Sequence, residues 1–293
     1  MPDLGSTLRI FHPAPNVIAF YDGRIPGTRA CSPEPNWLDD GAYELGVCTY
    51  AIVSGSEALV YDTHISLAHA RIIRSTLADQ GIARPTVVLS HWHRDHVAGN
   101  EVFADCEIIA HSLTARKLVE QRQTIETGKP PIKPLVGPTR TYEGTFQLIV
   151  GDLSVELHHA DIHSQDGTLL LIHERSLLFA GDALEDPITY VAEPDRLPFH
   201  LATLRHIAQW PVGRILPNHG DPDVIARGGY EPGLIQATIR YLEKLLRCRS
   251  EPDLAGAPLL DWIGEDLARG WLHEFPPYEA VHRENLRKVL ALP

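Results

Sequence analysis

The sequence predicts a mixed α/β fold, on three observations. Short apolar strands alternate with 3.6-period helices through the first half. A run of β segments broken by Gly-Asp and Asp-Gly turns fills residues 145–180. Four apolar strands are each followed by an acid or a histidine, at Asp62, His91, Asp182 and His219. Strands that end together collect such residues along one sheet edge, where α/β proteins place their sites.

Residues 8–20 and 47–62 read as strands, the second closing on Ala58-Leu59-Val60-Tyr61-Asp62. Between them, residues 22–46 are rich in Gly, Pro, Asn and Asp and form a long loop carrying Trp37 and Tyr43; loops of that length are functional or mobile. Leu67, Ala70, Ile73 and Leu77 fall near a helical period over 66–80, with Gly81 as the stop. Thr86–Ser90 is a buried strand and Glu107–Ala110 another. A helix over 112–126 follows, then a loop with four prolines between 130 and 138. Strands at 145–150, 153–159, 168–173 and 176–180 are punctuated by Gly151-Asp152 and Asp166-Gly167. A helix near 198–209 and a strand at 213–216 lead into Pro217-Asn218-His219-Gly220. Beyond Gly228-Gly229, apolar stripes mark amphipathic helices at 232–248, 258–272 and 278–290. The expected division is a catalytic domain over 1–228 and a helical extension over 229–293 packed on it.

Hydrophobic content of 44% and charged content of 22% are ordinary for a globular protein with a large core. The net charge of −12 argues against a nucleic-acid surface, which needs a basic stripe to displace counterions. Cys31, Cys48, Cys106 and Cys248 are scattered without C-x-x-C spacing, which argues against thiolate ligation. The opening Met1-Pro2-Asp3-Leu4-Gly5 has no charged and apolar leader pattern, and no window approaches 18 uninterrupted apolar residues. The expectation is a protein of the reducing cytoplasm, without a membrane span.

The chemistry concentrates in His91-Trp92-His93-Arg94-Asp95-His96. In extended chain, residues two apart point to one side, so His91 and His93 can grip one ion while Asp95 and His96, past the bend, reach a second. Imidazole nitrogen and carboxylate oxygen suit borderline divalent metals, zinc above all. His163, Asp182 and His219 each close or follow a β segment. Taken singly, each is commonplace; in this order after the six-residue cluster, they complete a ligand inventory.

The H-x-H-x-D-H box at 91–96, His163 after the next sheet region, Gly181-Asp182 and His219-Gly220 together resemble the metallo-β-lactamase superfamily over about residues 10–225. Asp62 matches the acid that commonly ends an early strand there. The resemblance implies an αββα sandwich, two mixed sheets face to face with helices outside and a site at one edge. By position it implies one ion on His91, His93 and His163, another on Asp95, His96 and His219, and Asp182 bridging them. A carboxylate offers two oxygens, so a single Asp can serve two ions. Two divalent ions are therefore expected, zinc first, with iron or manganese accepting the same set. A pair roughly 3.5–4 Å apart shares a water and acidifies it into a hydroxide nucleophile. Asp62 is expected to take an N–H from a liganding histidine, or else to cap the helix near Ser66. The family usually carries its third histidine in G-H-[ST]-x-G. Here the segment is Asp161-Ile162-His163-Ser164-Gln165-Asp166-Gly167, which leaves His158 and His159 as alternatives.

The resemblance implies a hydrolase that cleaves an ester, thioester or lactone bond of a small molecule. It is closer to hydroxyacylglutathione hydrolases and lactonases than to true β-lactamases, whose second site often uses cysteine. Asp95 would orient the attacking water or protonate the leaving group. Tyr190, in a loop eight residues past Asp182, would polarise the substrate carbonyl. Alternatives are a phosphodiesterase or nuclease, a mono-iron sulfur dioxygenase, and a metal-stabilised scaffold. The expected partner is a small-molecule substrate, with neither nucleic acid nor membrane; a homodimer stays open.

Overall fold

Apolar residues cover both faces of most central strands, and two sheets stack to bury them. The computed structural model describes residues 2–293. The first sheet runs in chain order through β1 (Arg9–Ala14), β2 (Val17–Asp22), β3 (Val47–Ser54), β4 (Glu57–Tyr61), β5 (Thr86–Val88), β6 (Ile108–His111) and β7 (Arg140–Tyr142). Its first four strands are antiparallel and β4 to β7 are parallel. The second contains β8 (Thr145–Val150), β9 (Leu153–His159), β10 (Thr168–Ile172), β11 (Leu177–Gly181) and β12 (Arg214–Pro217), ordered β12-β11-β10-β9-β8. Only β11 and β12 are parallel there. Both sheets are mixed.

The main core joins Ala19, Tyr50, Ile52 and Tyr61 of the first sheet to Val155, Leu157, Leu170 and Phe179 of the second. The other face of the first sheet packs Ile18, Phe20 and Val60 against Ala70, Ile73 and Leu77 of the Leu67–Ala78 helix. Helices Leu197–Ile207, Gly233–Arg247, Leu259–Ala268 and Tyr278–Leu290 contribute to the main core from outside the second sheet. This is the αββα sandwich with a helical C-terminal extension. No helix among the described residues is long and apolar enough to cross a membrane.

At one edge the sheets are tied by buried polar bonds. Tyr50 donates to the Pro217 carbonyl at 2.5 Å, Tyr21 to that of Gly220 at 2.8 Å, and the Thr168 N–H to Ser90 at 2.7 Å. Bonds of this kind hold the two sheets in fixed register where the liganding residues emerge.

Several boundaries differ from the sequence reading. The run over 8–20 is a hairpin turning at Pro15-Asn16, with Asn16 left-handed at φ 68°. That over 47–62 turns at Gly55, φ 59°. The 112–126 helix breaks at Gln121 into Ser112–Glu120 and Arg122–Glu126. β7 was not anticipated; it is three residues long, and only Tyr142 is buried. The loop over 22–46 contains one wide helical turn, Leu38–Tyr43.

Candidate metal centre

β4, β5, β11 and β12 end at the same edge, so Asp62, His91, Asp182 and His219 emerge together. The 91–93 segment is extended, and a single helical turn, Arg94–Val97, swings Asp95 and His96 round to the same place. His163, left-handed at φ 63°, is presented by the connection between β9 and β10. Buried Asp166 fixes that connection, accepting from Ser164 Oγ at 2.7 Å and from the Trp92 N–H at 3.0 Å. The 161–167 segment is thereby stitched to the 91–96 box.

Two overlapping clusters result: His91, His93, His163 and Asp182, and Asp95, His96, Asp182 and His219. In the first, His93 Nδ1 lies 2.9 Å from both His91 Nε2 and His163 Nε2. In the second, Asp95 Oδ2 is 3.4 Å from His96 Nε2 and 3.3 Å from His219 Nε2. Asp182 Oδ2 belongs to both, at 3.5, 3.7, 3.1 and 3.4 Å from the Nε2 atoms of His91, His163, His96 and His219. One oxygen thus faces both clusters, and Asp182 Oδ1 is buried without a hydrogen-bond partner. The alternatives to His163 lie elsewhere. His159 stacks on His111 at 4.1 Å, and His158 packs on Trp210.

Four histidines have their outward nitrogen engaged. His163 Nδ1–H donates to the Tyr190 carbonyl at 2.8 Å and His219 Nδ1–H to Gly46 at 2.6 Å. His96 Nδ1–H donates to Asp62 Oδ2 at 2.9 Å, and His91 Nδ1–H to Ser90 Oγ at 2.9 Å. Ser90 Oγ in turn donates to Asp62 Oδ2 at 2.6 Å, so Asp62 orients one histidine of each cluster. Asp62 does not cap the neighbouring helix; Ser66 does. These partners hold the proton on each Nδ1 and turn Nε2 inward. In the first cluster, three imidazoles then face one another with at most the His93 proton to share.

Burial pushes His93 down to about 3 and His163 down to about 4, and holds His91 well below the ordinary imidazole range. At His96 and His219 burial also opposes charge, but the Asp182 and Asp95 carboxylates outweigh it and raise both. Burial acts against the charged forms of Asp95 and Asp182 as well. The facing imidazoles overcome it and hold both carboxyls far below their usual range. Neutral imidazoles in the first cluster, and in the second two imidazoles whose charge is held only by the facing carboxylates, suit divalent cations that would take the place of those protons; Asp182 adds an orphaned oxygen. The donor set supplies both the lone pairs and the negative charge.

The centre floors a cavity of about 470 Å³. Trp37, Leu45, Trp92, Tyr190, Ala280 and Val281 form apolar walls, and Asp40, Arg94 and Glu284 also line it. Sequence reasoning missed Glu185, a buried cavity residue that accepts from the Tyr190 N–H at 2.8 Å and from Tyr278 at 3.0 Å. Burial and the nearby Asp182 push it up to about 8. It also missed Asn218, which donates to Asp62 at 2.5 Å, and the clamp from the Tyr278–Leu290 helix. There Asn285 accepts from the Val191 N–H at 2.8 Å and donates to the Thr189 carbonyl at 3.0 Å, while Lys288 reaches the Tyr190 hydroxyl at 2.6 Å.

The chain is similar to known proteins. The family described as the metallo-beta-lactamase superfamily matches residues 43–232. Lactamase-like protein ptaB of Pestalotiopsis fici is 30% identical over 228 residues, covering 73% of this chain and 67% of its own length. An atrochrysone carboxyl ACP thioesterase of Paecilomyces divaricatus is 28% identical over 60% of this chain and 50% of its own. The chain thus spans about half to two thirds of these relatives. Among solved structures, a metallo-beta-lactamase from Pontibacter korlensis superposes with a TM-score of 0.61 at 15% identity, covering 80% of this chain and 99% of its own. A family match over most of the chain, together with the sandwich and the paired clusters at its edge, places this protein in the metallo-beta-lactamase superfamily.

Proposed function

We propose that the chain is a metal-dependent hydrolase that cleaves an ester, thioester or lactone bond of a small acyl substrate, with zinc as the resident metal. One observation carries the reading: buried imidazoles, locked in the inward-facing tautomer, converge with Asp95 and Asp182 at the floor of an apolar cavity. His91, His93 and His163 would hold one ion, Asp95, His96 and His219 the other, with Asp182 Oδ2 turned to both. Bound there, two such ions supply Lewis acidity and a water nucleophile at neutral pH.

The chain's own groups do the rest. The aromatic and aliphatic walls take up the apolar acyl part and exclude water from the reacting carbonyl. Asp95 lines the cavity as a carboxylate and would orient the attacking water by accepting its proton in a hydrogen bond. Lys288 donates to the Tyr190 oxygen, which leaves the phenolic proton free for a substrate oxygen. A thioester is the favoured bond, supported by the likeness to the atrochrysone carboxyl ACP thioesterase; cysteine, frequent in true β-lactamase sites, is absent from both clusters. Residues 229–293 act as an extension that supplies one cavity wall through Ala280, Val281 and Glu284.

Metal analysis of purified protein, paired with turnover of thioesters, lactones, β-lactams and phosphodiesters, tests the reading. Two zinc ions at this centre and acyl-bond hydrolysis abolished by chelation are expected. One iron with oxygen consumption, or phosphodiester turnover alone, would overturn it.

A further inference from the structure

A separate group of ligand-type side chains stands on the far side of the second sheet. Glu156 and His158 are two apart on β9, so both leave the strand on the same side, opposite Val155 and Leu157 in the core. His173 begins the turn that follows β10, and the antiparallel register sets Leu171 across from Glu156. His173 Nε2 lies 2.5 Å from Glu156 Oε2, and His158 Nε2 lies 3.3 Å from the same oxygen. The three ligand atoms fall within 4.8 Å of one another.

His173 and Glu156 alone would be an ordinary surface ion pair; His158 brings a third ligand atom to the same carboxylate oxygen. Its Nε2 is buried and makes no hydrogen bond, although it stands beside a carboxylate oxygen. Its ring is backed by Trp210 at 4.5 Å, which fixes where that nitrogen points. We propose that Glu156, His158 and His173 form a further divalent-cation site, of zinc type, distinct from the centre at the sheet edge. Two imidazoles and a carboxylate are a zinc ligand set. The half-exposed His173 leaves the remaining coordination positions to water. A cation there ties β9 to the β10–β11 connection, so its role is to brace the second sheet rather than to meet substrate.

The test uses untagged full-length protein, stripped with chelator, dialysed and titrated with zinc chloride by calorimetry. His173→Ala, at an exposed position, and Glu156→Gln, which keeps the side chain's shape, should each bind one zinc fewer per chain than the parent. The affinities of the remaining ions should stay within twofold. In histidine ring ¹H–¹⁵N spectra of the parent, His158 and His173 should shift with the same equivalent of zinc. Comparing parent with variant makes the outcome independent of how many ions the catalytic centre holds. Equal zinc counts in parent and variants, or unmoved His158 and His173 signals, overturn the proposal.

Discussion

Replacing Asp62 by Asn tests the orientation argument without touching the cavity. The carboxylate accepts four hydrogen bonds: from the Ser90 N–H at Oδ1, 2.6 Å, and from Ser90 Oγ, Asn218 Nδ2 and His96 Nδ1 at Oδ2, 2.6, 2.5 and 2.9 Å. An amide has one acceptor oxygen, so its NH2 must oppose either the three donors or the single backbone N–H. The second arrangement is cheaper. It costs one buried donor–donor contact, about 1–3 kcal/mol, and removes the charge that makes His96 Nε2 a strong donor of electron density. Loss of such an outer partner weakens metal affinity by roughly 10–100-fold, equivalent to about 1.4–2.8 kcal/mol. Because Ser90 relays Asp62 to His91, both ions should weaken, the one on His96 more. Ser90→Ala should weaken only the His91 ion. Chelator competition with metal counting resolves the two sites. Unchanged affinities in Asp62→Asn, or equal losses at both sites in Ser90→Ala, would refute the reasoning.

Tyr190→Phe should lower kcat by about 100-fold, the effect of losing one carbonyl-polarising donor, with metal content unchanged; normal turnover would remove Tyr190 from the reaction. Asn285→Ala strands the buried Val191 N–H and should cost about 1–3 kcal/mol in urea unfolding, together with weaker metal retention as the Tyr190 carbonyl loosens from His163. His111 bears on pH dependence. Burial, and then its stacked neighbour His159, pushes it down to about 4, below the roughly 6.5 of an unfolded histidine. Between those values the unfolded chain binds a proton that the folded one refuses. This contribution should therefore erode stability as pH falls below about 6.5 and level off below about 4. His111→Asn keeps an N-cap for the following helix and removes the titration, so its unfolding free energy should fall less steeply over that range. Parallel slopes would contradict this assignment.

The most legible part of the site was the part carried by contiguous side chains. The 91–96 box announces itself because several ligands share one strand end and one turn. His219 and Asp182 became legible only through the pattern of apolar strands closing on acid or histidine. What remained hidden has a common cause. His163 and His219 are aimed by backbone carbonyls, of Tyr190 and Gly46, and a carbonyl has no residue signature. Glu185 and Asp166 sit in stretches that read as polar loops, and only the tertiary packing buries them. Fold boundaries slipped for a related reason. The apolar runs over 8–20 and 47–62 hide turns at Asn16 and Gly55, since alternation continues on either side of each turn.

The Tyr278–Leu290 helix presents two neighbouring stripes. Ala280, Val281 and Glu284 meet the cavity, while Tyr278, Asn285 and Lys288 grip the loop that aims His163. Selectivity and assembly are therefore written on adjoining tracks of one element. Descendants of this chain can change which guest they admit at positions 280, 281 and 284, leaving the scaffold of the reaction where it was. Drift along the other track has no such freedom, because a slackened grip is felt at once by the histidine it serves.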